Sequence, residues 1–319
     1  MEINTFVKDL SALNIAVTGG AGFIGSHIVD ELVKRGANVT VIDNLSFGKL
    51  ENLKGVINKI NFIKGDLRDY ETVKNAFKGI DYVSHQGALR SVFVSIEDPQ
   101  QYNEVNILGH FNVLKAAKEN NIKRVVFASS SSIYGDNNNF PLKEEFTPNP
   151  KSPYALTKLV GEKYCKLFCD LYGLETVNLR YFNVFGERQD QKSQYAAVIA
   201  VFIRRILDGQ KPTIYGDGLQ SRDFTYIANN VHANILAFFA KNIAGETINI
   251  ADNSSISLIQ LIDKINKHLG KDIKPEFAPA RPGDIKKTQG DNTKAKLLLD
   301  YKPLYSFDEG LIKTIDYLK

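Results

Sequence analysis

Cysteine is nearly absent: among 319 residues only Cys165 and Cys169 occur, four positions apart within a helical pattern. That spacing is not a redox Cys-x-x-Cys pair and reads as packing on one helix face. Long apolar runs are absent too. No stretch reaches the roughly 20 apolar residues of a membrane-crossing helix, so no membrane association is expected. An excess of one charge is also missing, because 40 basic and 36 acidic residues leave a net charge of +4. Nucleic-acid binding normally shows a clustered basic stripe, and basic residues here rarely run longer than two. A few arginines placed for a small anionic substrate account for the surplus equally well. His27, His85, His110, His232 and His268 have no metal-ligand spacing, so no metal is expected. The stretch Met1 to Leu13 carries charges and lacks the apolar centre of a signal peptide, which points to a reducing, cytoplasmic setting.

What is present is a globular composition, 43% hydrophobic and 24% charged, in a chain long enough for a large domain with a smaller companion. From Asn14 to Arg180 short β-branched runs alternate with helical patterns, the signature of βαβ units and a parallel sheet. Predicted strands are Asn14–Thr18, Asn38–Asp43, Ile60–Lys64, Asp81–Ser84, Val125–Ala128 and Glu175–Arg180. Predicted helices are Phe23–Arg35, Thr72–Phe77, Gln101–Asn120 and Pro153–Tyr172. Strands this apolar on both sides need helices on both faces, so the expected fold class is α/β with a doubly wound parallel sheet. Beyond Tyr181 the alternation weakens and glycine and proline increase, marking a smaller mixed α/β lobe. The expected division is residues 1–180 and 181–319, with some later segments returning to the first domain. Asp136–Pro150 reads as a surface loop.

Directly after the first strand stands Gly19-Gly20-Ala21-Gly22-Phe23-Ile24-Gly25, a GxxGxxG turn opening a helix. Glycine permits the tight turn, lets backbone N–H groups approach a pyrophosphate, and packs helix against strand. Asp43 ends the next strand, where an acid accepts ribose hydroxyls and repels a 2′-phosphate. NAD is therefore favoured over NADP, and residues 1–180 read as a Rossmann domain. Asp66, in Gly65-Asp66-Leu67, is placed to reach an adenine amino group, although a strand-end turn explains it about as well.

Tyr154 and Lys158 stand at i and i+4 in Pro153-Tyr154-Ala155-Leu156-Thr157-Lys158, on one face of a helix. A phenol of pKa about 10 is a poor base unless positive charge stabilises the phenolate, and Lys158 would supply it. Such pairs also occur by chance. The run Ala128-Ser129-Ser130-Ser131-Ser132-Ile133-Tyr134-Gly135, at the end of the fifth strand, raises the odds because that end of a doubly wound sheet faces the cofactor crevice.

With these motifs in order, the sequence resembles the extended short-chain dehydrogenase/reductase family, and within it the UDP-hexose 4-epimerases of the UDP-GlcNAc/UDP-GalNAc type. Further residues carrying the resemblance are Leu179-Arg180-Tyr181-Phe182-Asn183, Gly186 to Asp190, Tyr195-Ala196-Ala197-Val198-Ile199, Ser221-Arg222-Asp223-Phe224 and Arg281-Pro282-Gly283-Asp284. The resemblance implies a tightly held NAD regenerated in each turnover. Tyr154 would take the proton from the sugar 4-hydroxyl while hydride leaves carbon 4, Ser130 would bond the same hydroxyl, and Lys158 would hold the nicotinamide ribose and lower the Tyr154 pKa. The 4-keto sugar would then turn over and be reduced on its other face.

By the same matching, Gly19, Gly22, Phe23, Ile24, Gly25, Asp43, Asn44, Asp66, Leu67, Gln86, Ala88 and Asn106, with Tyr154 and Lys158, fall where the family contacts NAD. Asn183, Val198, Tyr215, Arg222, Arg281 and Asp284 fall where it holds the UDP part, and forked guanidinium donors suit a diphosphate. Arg90, Ser130, Tyr154, Asn183, Ala197 and Thr288 match the walls of the sugar pocket, and Ser91 is expected to bind substrate beside them. Small residues at Ala197 and Thr288 admit an N-acetyl group. Arg90 departs from that branch, where glycine is common, as do Phe93 and Val94.

The expected function is interconversion of N-acetylated UDP-hexoses, with the plain hexoses as further substrates. A UDP-glucose 4-epimerase alone is one alternative. A UDP-glucuronate 4-epimerase is another, favoured by the Ser129–Tyr134 run and opposed by Asn183. A non-catalytic NAD sensor is opposed by the presence of Ser130, Tyr154 and Lys158 together. Ser131 and Ser132 replace the acids that dehydratases and decarboxylases place beside Ser130. The resemblance also implies a homodimer in which the Gln101–Asn120 and Pro153–Tyr172 helices pair.

Overall fold

The computed structural model describes residues 9–189, 198–280 and 285–319. Seven parallel strands form the main sheet: β1 (Asn14–Thr18), β2 (Asn38–Asp43), β3 (Ile60–Lys64), β4 (Tyr82–His85), β5 (Arg124–Ser130), β6 (Glu175–Tyr181) and, much later in the chain, β11 (Glu246–Ile250). Their spatial order is β11-β6-β5-β4-β1-β2-β3. The chain runs outward one way from β1 to β3 and then the other way from β4, so a crevice opens between the carboxyl ends of β1 and β4. This is the doubly wound Rossmann arrangement expected from the alternation.

Helices cover both faces. The first face holds α1 (Phe23–Lys34) against α8 (Ile227–Phe239), with Ile28, Leu32, Val126, Val177 and Ile235 in one buried layer. The second face holds α2 (Tyr70–Ala76), α5 (Gly109–Glu119) and α6 (Pro153–Tyr172), with Val73, Phe77, Leu114, Phe127 and Phe168. Local signals end these helices where they should. Ser152 caps α6 by accepting the Ala155 N–H, Pro153 occupies its first position, and Gly173 closes it at φ 69°.

Two expectations change. The predicted helix Gln101–Asn120 is instead α4 (Pro99–Asn103), one π-turn (Glu104–Leu108) and α5, preceded by the short α3 (Val92–Glu97). The Asp98 carboxylate caps α4 and Pro99 starts it, signals that lie outside the apolar periodicity. The segment Asp136–Pro150 is not wholly a surface loop. Leu142 is buried, its N–H donates to the Gln289 carbonyl (2.7 Å), and its carbonyl receives the Asp291 N–H (2.8 Å). An apolar side chain with a backbone partner 147 positions away from it in sequence number cannot be recognised from local composition.

The remaining elements beyond β6 are short strand pairs and helices. Among the described residues β7 (Val184–Phe185) pairs with β10 (Thr225–Tyr226), β8 (Thr213–Tyr215) with β13 (Glu276–Ala278), and β9 (Ser221–Arg222) with β12 (Ile256–Ser257). Around them pack α7 (Val198–Leu207), α9 (Leu258–Leu269), α10 (Thr293–Leu299) and α11 (Phe307–Leu318).

Candidate active site

The glycine turn joins β1 to α1 at the crevice. Gly19 has φ 65°, and a Cβ there would stand 2.7 Å from the Gly87 backbone, so two chain segments meet with no room for a side chain. At Gly25 a Cβ would lie 2.2 Å from the Gly19 carbonyl, which explains the tight seating of α1. No side chain caps α1 and no acid lies in its first turn. The positive end of a 12-residue helix therefore faces the crevice with its N–H donors uncapped by side chains, a cradle that fits a pyrophosphate.

Asp43, at the end of β2, is buried. Its carboxylate accepts the Ala21 N–H (3.0 Å) and the Leu45 N–H (2.8 Å). Burial raises its pKa, and those two hydrogen bonds oppose the rise. Beside it Gly48 leaves space, since a Cβ there would stand 2.8 Å from both carboxylate oxygens. These donors and openings fit a dinucleotide.

Other polar residues expected at the cofactor make hydrogen bonds within the protein. Asp66 pairs with Arg68 (2.8 Å) and accepts from Asn44 (3.0 Å), and Arg68 holds its carboxyl well below the ordinary range. The Gln86 amide donates to Ser84, Tyr181 and Asn234. Asn106 donates to the Leu89 carbonyl (3.0 Å) and Thr157 Oγ1 (3.1 Å), and its oxygen accepts the Leu89 N–H (2.8 Å). Leu67 is buried between sheet and helices, while Phe23, Ile24 and Ala88 are half-buried at the crevice.

Ser130, Tyr154 and Lys158 converge where β5 ends and α6 begins. Ser130 Oγ accepts from the Ser132 backbone (3.2 Å) and from Ser132 Oγ (2.9 Å). Tyr154 occupies the first turn of a 20-residue helix that has no acid in that turn, so the helix dipole also favours a phenolate there. Burial pushes the Tyr154 phenol up, while the Ser130 hydroxyl and the Arg90 guanidinium bring it down. The sequence pointed to Lys158 for that lowering. Lys158 is itself buried, its Nζ donates to the Ala128 carbonyl (2.7 Å), and burial lowers its own pKa to about 7. Its ammonium stands 6.0 Å from the Tyr154 ring centre.

One turn further along α6 lies a pair that sequence reasoning missed. Glu162 receives both Arg180 Nε (2.8 Å) and Nη2 (2.8 Å), and Ser129 Oγ donates to the same carboxylate (2.5 Å). Burial disfavours the Arg180 charge, but the Glu162 pairing outweighs it and leaves the guanidinium firmly protonated. Tyr102 was missed as well. This buried phenol packs edge-on to Tyr154 at 6.4 Å and accepts the Ser91 N–H (2.9 Å). Spacing cannot reveal either feature, because the partners are 18, 52 and 11 positions apart in sequence.

Beyond β6, Asn183 and Val198 are half-buried, and Tyr215 lies on β8 with its side chain exposed. Arg222 lies on β9, its Nη1 donating to the Ser221 carbonyl (2.9 Å). Thr288 is almost fully buried, and its hydroxyl oxygen accepts the Asp223 N–H (3.1 Å), so the side chain is turned toward backbone. Arg90 is exposed and Ser91 caps α3 through the Val94 N–H. Ala197, Arg281 and Asp284 lie outside the described residues.

The model of the NAD dependent epimerase/dehydratase family matches residues 15–251. A UDP-N-acetylglucosamine 4-epimerase from Methanobrevibacter ruminantium, solved with UDP-N-acetylmuramic acid, is 46% identical with TM-score 0.92, over 97% of this chain and 98% of that one. A UDP-glucose 4-epimerase from Thermotoga maritima, solved with UDP-glucose, is 38% identical with TM-score 0.92, over 96% and 98%. A putative UDP-glucose 4-epimerase of Methanocaldococcus jannaschii is 40% identical over 96% of this chain and 98% of its own. The chain belongs to the NAD-dependent epimerase/dehydratase family.

Proposed function

We propose that this enzyme is a UDP-sugar 4-epimerase that interconverts UDP-GlcNAc and UDP-GalNAc and also accepts UDP-glucose and UDP-galactose. The observation that carries the reaction is the convergence of Ser130, Tyr154 and Lys158 at the carboxyl end of β5, beside a glycine turn open to a pyrophosphate. The 46% identity to a UDP-N-acetylglucosamine 4-epimerase supports the choice of sugar.

Gly19, Gly22, Gly25 and Asp43 would hold NAD, whose chemistry at this site is reversible hydride exchange with carbon 4 of the sugar. Tyr154 removes the proton of the 4-hydroxyl and later returns it to the other epimer. Ser130 holds that same oxygen and, by bonding the phenol, makes its ionisation easier. Lys158, anchored on Ala128, would contribute charge near the phenol and hold the nicotinamide ribose. Arg222 supplies a guanidinium to the diphosphate.

A homodimer belongs to the same reading. Leu156, Leu167 and Leu171 fall on one face of α6 and are exposed, and Leu108, which ends the π-turn before α5, is exposed too. Pairing these helices with those of a second copy covers that apolar stripe. Light scattering of the purified chain tests it, and a monomer at micromolar concentration sinks it.

The decisive assay incubates the enzyme separately with UDP-GlcNAc, UDP-GalNAc, UDP-glucose and UDP-galactose and separates products by chromatography. Conversion of both N-acetylated sugars is expected. Conversion of the plain hexoses alone overturns the substrate assignment and leaves the 4-epimerase reaction standing.

A further inference from the structure

Ser130 stands between two residues that one buried ion pair holds. Before it, Ser129 Oγ donates to Glu162 Oε1 (2.5 Å), the same oxygen that accepts Arg180 Nε (2.8 Å), while Oε2 accepts Nη2 (2.8 Å). After it, the short turn Ser131–Tyr134 ends on a buried ring whose centre lies 4.8 Å from the Arg180 guanidinium carbon. The Tyr134 hydroxyl donates to Asn249 Oδ1 on β11 (2.7 Å), and Asn249 Nδ2 donates in turn to the Leu142 carbonyl (3.0 Å). The turn that carries Ser130 is therefore fixed at both ends, and Arg180 reaches each of them.

The same pair joins the strand of Ser130 to the helix of Tyr154. Arg180 lies on β6 directly opposite Ser129 in the sheet register, and Glu162 lies on α6 one turn beyond Lys158. Lys158 Nζ donates to the Ala128 carbonyl (2.7 Å), so α6 is tied twice to the last residues of β5, at Ala128 and at Ser129. Ser130 Oγ accepts from the Ser132 N–H and hydroxyl, so the placement of the turn decides where the Ser130 hydroxyl stands relative to the Tyr154 phenol. A buried ion pair gains little net stability over apolar side chains of the same size, whereas its forked hydrogen bonds fix direction. We infer that Glu162, Arg180 and Ser129 are positioning residues for the reaction, a brace between β5, β6 and α6 that holds the Ser130 hydroxyl against the Tyr154 phenol.

This inference rests on the proposed 4-epimerase, and its test separates the two. Glu162→Gln strands the Arg180 charge and reports mainly on stability, so Ser129→Ala is the sharper variant: it frees β5 from Glu162 and leaves the ion pair closed. Its kcat for the preferred UDP-sugar should fall about tenfold with KM within about twofold of wild type, because a displaced hydroxyl slows proton transfer and leaves the groups that hold the diphosphate untouched. Bound NAD, measured after heat extraction, should match wild type and reports that the variant is folded. Arg180→Lys keeps the charge but loses the fork, and should lower kcat in the same way. A double-mutant cycle identifies the group acted through: in a Ser130→Ala background, Ser129→Ala should lower kcat by less than about twofold further. Wild-type kcat in either single variant, a loss carried by KM instead of kcat, or losses that simply multiply in the cycle overturn the inference. A wild type that converts none of the four UDP-sugars overturns the epimerase reading, and this inference with it.

Discussion

Near α6 a buried charge is matched by its opposite; among the short strand pairs beyond β6 another is not. Glu162 and Arg180 are each 5% exposed, and the carboxylate takes two guanidinium donors and a serine hydroxyl. Asp223 is fully buried too, yet it is held by backbone amides: Oδ1 accepts the Asp252 N–H (2.9 Å) and Oδ2 the Gly290 N–H (3.0 Å). Burial pushes its pKa up to about 7, against the pull of those amides. The pair braces α6 against β6 within a continuous sheet. Asp223 ties three short segments together, and its own N–H reaches Thr288. One buried charge is thus braced by an opposite charge, and the other is a carboxylate that burial pushes up and only backbone amides oppose.

That contrast can be broken at several strengths. Tyr154→Phe removes the base without touching either support, so kcat should fall by a factor of about 10² to 10⁴ with NAD content unchanged; turnover equal to wild type rejects the base. Glu162→Gln strands the Arg180 charge in the interior and should cost about 3–5 kcal/mol in urea unfolding. A loss below 1 kcal/mol, on the order expected of an exposed pair, would show that the bridge is not a support.

Asp223→Asn tests the other side through pH. The folded pKa stands above the unfolded 3.8, at about 7, so the native state binds the extra proton between those values. Stability from this group is therefore complete below the unfolded pKa and is lost as pH rises through the folded one. Wild-type urea midpoints should decline between pH 4 and 7 relative to those of Asp223→Asn; parallel profiles refute the assignment. The smallest effect is expected on the surface, where Lys264 pairs with Asp308 (2.7 Å) while both are substantially exposed. Lys264→Ala should change stability by less than about 1 kcal/mol and vanish into the noise at high salt.

Much of the fold was legible because its signals are local. The strands Asn14–Thr18, Asn38–Asp43 and Ile60–Lys64 and the helix Pro153–Tyr172 stand at the expected bounds, since apolar period, cap and glycine lie within a few residues of one another. The interruption at Glu104–Leu108 was not legible, because apolar spacing continues across it. The burial of Leu142 was not either, because Gln289 and Asp291 reach it from the far end of the chain.

For the site, residue type and spacing alone determined the glycine turn, the acid ending β2, and the tyrosine and lysine one helical turn apart. Each follows from steric freedom or from the 3.6-residue period, which act over short stretches. Only the tertiary structure decided which polar groups remain available to a ligand. Gln86, Asn106 and Thr288 hydrogen-bond within the protein, the Arg90 guanidinium comes close enough to lower the Tyr154 phenol, and Glu162 found Arg180. A hydrogen bond or a field depends on distance in space, and folding sets that distance between residues the sequence keeps far apart.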